Sequence, residues 1–118
     1  MRWLTAALLG AGLVLAACGS SGPAAQRVVD QFVRDGLELP NPRDNTARNC
    51  PQLGCEQLIT TDVVSVLSFA DESAAARFAE RFGPDAFHRG PVVLQYAAAR
   101  TPQEQRARFE ASLAVLVE

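Results

Sequence analysis

The feature that most constrains this 118-residue chain is its opening stretch. Met1-Arg2 leads into an apolar run from Trp3 to Ala17, which stops at Cys18. A permanent membrane helix needs about 20 apolar residues, and this run is shorter. A charged start, an apolar middle and small residues at the end are the three parts of a secretory signal. Residues 1–17 are therefore expected to be removed. The fold then has to be built from a short, Gly/Ser-rich tether at 18–23 and a single domain over 24–118. A chain of that size buries roughly 60–70% of its unfolded surface, enough for one independent core.

Leu15-Ala16-Ala17-Cys18 resembles the lipobox of bacterial lipoproteins: a leucine, two small residues and then a cysteine. The resemblance implies that Cys18 carries thioether-linked diacylglycerol, that the signal is cut just before it, and that the new N-terminus is often acylated too. Two or three acyl chains make a stable anchor, at about 0.8 kcal/mol per buried CH₂, where one chain gives only marginal binding. The location expected on this basis is the cell membrane, lipid-anchored on the extracytoplasmic face. The five residues Gly19–Pro23 span less than about 20 Å, so the domain must sit close to the bilayer.

With Cys18 taken as the anchor, Cys50 and Cys55 remain. Two cysteines in a turn-rich stretch of an exported chain point to one disulfide. A zinc site needs four ligands and the chain has one histidine, so no metal is expected. A redox role favours C-x-x-C, and here four residues intervene.

Formal net charge is -2 with 20% charged residues, which excludes a strongly basic nucleic-acid binder and a highly charged disordered chain. All 11 basic residues are arginine. With abundant alanine this reads as codon pressure from a GC-rich genome, so single arginines carry no functional signal by type alone.

Patterning places the elements. Val28, Val29, Phe32 and Val33 recur at helical spacing before Gly36. The segment 38–56 has no periodic signal and reads as a long loop pinned by the disulfide. Leu58–Thr61 and Val63–Phe69 read as strands with Asp62 as a bulge or tight link, the second strand carrying Val63, Leu67 and Phe69 on one face. Asp71 caps a helix over 72–82, and Ala86–His88 and Val92–Tyr96 are further strands. Thr101-Pro102-Gln103-Glu104 reads as a capping box opening a final helix, whose buried stripe is Phe109, Leu113, Leu116 and Val117. The arginines at 77, 81, 106 and 108 fall outside the apolar stripes and are expected in solvent. The whole reads as α+β: a small, mostly antiparallel sheet with helices packed on one face, the part from Val63 to Tyr96 partly ferredoxin-like.

No motif for catalysis stands out. His88 is the only side chain with an ordinary pKa near neutrality, and an enzyme would use it with a carboxylate such as Asp62 or Asp85. G-x-S-x-G, G-x-G-x-x-G and the phosphate-loop pattern are missing, so no catalytic residue, nucleotide or other cofactor is expected. The densest polar groups outside helices are Thr60-Thr61-Asp62 and Arg43-Asp44-Asn45. Together with Gln57 and His88 these are the candidate binding residues.

The Asn49-Cys50-Pro51…Cys55 pair, the Leu58-Ile59-Thr60-Thr61-Asp62 strand and the helix-strand-helix end are similar to small lipoproteins of GC-rich Gram-positive bacteria that have no assigned activity. That resemblance brings no active-site residue. The expected function is a non-catalytic binding or accessory module at the cell envelope, anchored to the membrane and meeting an unspecified envelope protein or ligand. The alternatives are a carrier of a lipid or apolar molecule, or a small envelope enzyme using His88.

Overall fold

The computed structural model describes residues 24–117, so the signal, Cys18 and the tether lie outside the described residues. Four helices and five strands follow in the order α1 (Ala25–Arg34), β1 (Arg43–Asp44), α2 (Thr46–Leu53), β2 (Gln57–Thr60), β3 (Val64–Ser68), α3 (Glu72–Phe82), β4 (Ala86–Arg89), β5 (Val92–Tyr96) and α4 (Gln103–Leu116). The strands form one sheet in the order β1-β2-β3-β5-β4, with every neighbouring pair antiparallel. This is the expected α+β fold.

Helices cover both faces of that sheet, however, and not one. Val64 and Val66 of β3, with Val92 and Leu94 of β5, point to α1 and α4 and share a core with Val28, Phe32, Phe109 and Leu113. Leu67 and Val93 point the other way, to Ala75 and Phe78 of α3 and Cys50 of α2. The reason is visible in the strands: in β5 three consecutive residues, Val92, Val93 and Leu94, are fully buried. A strand apolar on both sides needs cover on both sides. Val63 belongs with the α1/α4 core because it precedes the strand proper, in the turn, where alternation does not apply.

The ferredoxin-like part is a split β-α-β unit. β3 and β4 both run antiparallel to β5, which lies between them, so they run parallel to each other with α3 as the crossover. Two features depart from a complete ferredoxin-like domain. The place beside β3 is filled by β2, which precedes it in the chain, and α4 packs on the face opposite α3.

Local chemistry fixes the ends. Gly36 has φ +77°, and the amides of Gly36 and Leu37 donate to Val33 O and Phe32 O, both at 3.0 Å. This pair of bonds closes α1, with Leu37 packed back on the core. The Asp71 carboxylate accepts from Ala74 N at 2.9 Å and caps α3 as expected. α4 differs: its N-cap is Pro102, with no side-chain cap. The Thr101 hydroxyl instead donates to Val63 O at 2.6 Å, tying the β5–α4 connection to the β2–β3 turn, so no capping box forms.

The stretch 38–56 is structured. It holds β1 and α2, and Cys50–Cys55 is disulfide-bonded at the C-terminal end of α2. Pro51 sits inside this eight-residue helix, whose one fully buried side chain is Cys50. The Thr46 hydroxyl accepts from Leu58 N at 2.9 Å and donates to Leu58 O at 3.5 Å. It thereby serves the backbone of β2 where β1 has ended.

Arg106 is buried, contrary to expectation, at 9% exposure. Its guanidinium donates to Thr101 O (2.8 Å), Pro84 O (3.0 Å) and Asp85 Oδ1 (3.2 Å) and lies 4.8 Å from the Tyr96 ring centre. The Tyr96 hydroxyl in turn donates to Glu110 Oε2 at 2.9 Å. Burial, with the Glu110 carboxylate beside it, raises the phenol pKa far above its ordinary value.

Candidate binding site

The two polar segments singled out in the sequence become neighbouring strands. Arg43 pairs with Thr60 and Asp44 with Ile59. The turn after β2 is closed by Thr61, whose amide and hydroxyl both donate to Val64 O, at 2.9 and 2.8 Å. With its hydroxyl also accepting from Val64 N at 3.1 Å, Thr61 is consumed by the turn and buried. Asp62 follows it at the tip and faces the incoming chain. Its amide donates to Pro40 O at 2.9 Å and its carboxylate accepts from Asn41 Nδ2 at 2.6 Å and Arg43 Nη1 at 3.4 Å. Asn41 reaches it from a left-handed backbone, φ +55°, a conformation asparagine tolerates better than most residues.

These contacts set the electrostatics. The Asn41 hydrogen bond, helped by the Arg43 guanidinium, holds the Asp62 carboxyl below its ordinary pKa. Arg100, from the loop after β5, adds a further positive charge to the same corner. Both partners remain accessible, Arg43 at 48% and Asp62 at 31% side-chain exposure. The ion pair is therefore a solvated surface contact, worth little stability in itself.

Beside this corner runs a polar row. Thr60 pairs with Ser65 and Ser65 with Gln95, so hydroxyl, hydroxyl and amide stand side by side across three strands. Asn45 Nδ2 donates to the Thr60 hydroxyl at 3.2 Å. Ser65, Gln95 and Thr61 line a shallow hollow of about 200 Å³. A second hollow of about 380 Å³ lies between the end of α1 and the start of α4, where Glu38, Glu104 and Arg108 meet. Both are lined chiefly by polar groups.

The remaining candidates are elsewhere. Gln57 is at the opposite end of β2, paired with Ser68, and its side-chain oxygen accepts from Gln26 N at 2.9 Å. It thus satisfies one of the free amides in the first turn of α1, a structural task. His88 is on β4, at the far edge of the sheet, paired with Val93. Three strand spacings, about 14 Å, separate β4 from β2. His88 Nδ1 is buried without a hydrogen-bond partner among the described residues. Asp62 is not brought to it, and the Asp85 carboxylate is engaged by Arg106. The structure therefore unites Thr60, Thr61 and Asp62 and leaves Gln57 and His88 apart.

Asn41, Ser65, Gln95 and Arg100 join the corner without having been singled out in the sequence. Ser65 and Gln95 carry a usable signal: each is a polar residue on the strand face that Leu67 and Val93 bury. Among the described residues no cluster suited to a metal ion occurs, and no helix is long and apolar enough to cross a membrane. The arrangement offers donors and acceptors of fixed geometry, with one anion and two cations, and it holds no histidine or cysteine. It can bind through hydrogen bonds; at neutral pH it offers no group poised to exchange a proton.

Comparison with known protein families, curated proteins and solved structures gives no match to this chain.

Proposed function

We propose that the protein is a non-catalytic binding or accessory module, held by lipid at Cys18 on the extracytoplasmic face of the membrane, which engages its partner through the polar corner of Asn41, Arg43, Thr60 and Asp62. The observation that carries this reading is the Cys50–Cys55 disulfide in a domain that follows an apolar leader and a lipobox-like cysteine. Such a bond persists in oxidising compartments and is rare in the cytosol, which supports export. The corner supports binding because its side chains are organised by one another while Asn41, Arg43 and Asp62 stay open to solvent.

An apolar carrier is less well supported, since both hollows are open and mainly polar. An enzyme built on His88 is less well supported too, since Asp62 lies across the sheet from it and the Asp85 carboxylate is engaged by Arg106.

Two measurements test the reading. Intact mass of the membrane-extracted protein should show a chain beginning at Cys18 with diacylglycerol attached, and Cys18→Ser should either release the protein or leave its precursor uncleaved. A photo-crosslinking residue at Arg43, used in intact cells, should give a discrete adduct that a probe at the exposed Val115 does not give. An unmodified chain still carrying Met1, or identical adducts from both positions, refutes it.

A further inference from the structure

The chain enters and leaves the described domain at one end of the sheet, and the polar corner lies at the other. The first turn of α1 is tied to Gln57, and Gln57, Ser68, Val92 and Arg89 form one row across four strands. Beyond that row lie the β3–α3 connection, the β4–β5 turn at Gly90, and Val117. Val117 gives its carbonyl to Arg89 Nε at 2.6 Å, and a Cβ on Gly90 would meet its side chain at 2.6 Å. From this pole α1 runs away toward the corner, where Pro40 O meets Asp62 N. The row of Thr60, Ser65, Gln95 and Ala86 is three residues further along the strands, about 10 Å, and the Asp62 turn and the Ala97–Arg100 turn extend beyond it.

On the reading that Cys18 is lipidated, we propose that this geometry gives the anchored domain a fixed polarity: the Gln57–Arg89 pole faces the bilayer, and the Asn41–Arg43–Asp62 corner is presented outward to a water-soluble protein partner. A tether shorter than about 20 Å keeps its point of attachment next to the headgroups. It is the tether, not charge, that holds this pole to the membrane. Glu56, Asp71 and Glu72 are exposed there beside Arg27, so the pole is not a basic patch for anionic lipid. The outward corner carries both signs of charge together with amides and a hydroxyl, the composition of a polar protein–protein rim. Its cations, Arg43 and Arg100, define the competing arrangement, in which the domain bends over and sets the corner on anionic headgroups.

Fluorescent donors placed by Ser73→Cys, near the tethered pole, and Ala99→Cys, near the corner, distinguish the two. Both positions are exposed, and Cys50 and Cys55 are held in their disulfide. The mature lipidated chain would be bound to phosphatidylcholine vesicles bearing headgroup acceptors, with and without added phosphatidylglycerol. Energy transfer is expected to be several-fold stronger from position 73 than from position 99 in both membranes. Equal transfer, or stronger transfer from position 99 once phosphatidylglycerol is present, overturns the polarity. If the protein carries no lipid by intact mass and does not float with vesicles, the anchor reading itself fails and the polarity falls with it. A protein that floats but shows equal transfer refutes the polarity alone.

Discussion

The two faces of the sheet are covered in different ways. On one, α1 and α4 lie side by side, and Phe32 and Phe109 meet with ring centres 4.9 Å apart over Val64, Val66, Val92 and Leu94. On the other, α3 brings Phe78 to 5.2 Å from Phe69, but the neighbouring ground is held by α2, a short helix with an internal proline and one buried residue. Helices this short are marginal without tertiary support. The first face is secured by apolar area from segments far apart in sequence. The second is secured by burial beneath α3 and, at α2, also by a covalent link that closes a loop of few residues. A fold can therefore lose order on one side of a sheet while the other side persists.

Phe109→Ala breaks the stronger face and should have the largest effect, about 3–5 kcal/mol, read as a cooperative loss of the whole domain in denaturant unfolding. Arg106→Ala comes next. It leaves the carbonyls of Thr101 and Pro84 without their donor, and a loss of about 2–3 kcal/mol is expected, with faster amide exchange in residues 97–102. Replacing Cys50 and Cys55 together by serine removes about 2 kcal/mol in the chain-entropy model. Its signature sharpens the comparison: amides of α2 and β1 should lose exchange protection while those of α1 and α4 keep theirs. Equal loss on both faces would show that the two are one cooperative unit. The smallest effect is that of pH. The carboxyls of Asp35, Asp44 and Asp62 all lie below their ordinary value, through hydrogen bonds from Ser112, Thr46 and Asn41 respectively. Depressed pKa values stabilise the folded state above the ordinary value of 3.8 and lose that contribution as pH falls through the folded-state values. Thermal scans should be flat down to about pH 5 and decline below pH 4, and Asp62→Asn should make the decline shallower.

Much of the fold was legible because burial imposes period. Val28 and Phe32, the apolar run of β5 and the Asp71 cap all state their elements plainly. α2 was not legible: a helix that buries only Cys50 has no apolar stripe, and Pro51 argues against it locally. β1 is two residues long and exists because Asn45 and Thr46 hold it beside Leu58. The cover on both faces was written in Val92-Val93-Leu94, a run with no polar alternate. Arg106 stands three residues before Phe109 and seven before Leu113, on the inward stripe of α4. The expectation of solvent followed its residue type and overlooked this spacing. The corner was legible as two polar segments but not as one place, since strand pairing between residues 43 and 60 is a tertiary fact.

The hydroxyl of Thr46 has a consequence for how copies of this chain behave when crowded. By accepting from Leu58 N, while the Asn45 amide donates to Leu58 O, it closes the margin of β2 that β1 is too short to cover. Exposed strand margins are templates for runaway association, and here one side chain blocks that route. Thr46→Val, nearly the same shape without the oxygen, would leave the Leu58 N–H free for the carbonyl of a stray segment, so aggregation at high concentration is where its loss would first be felt.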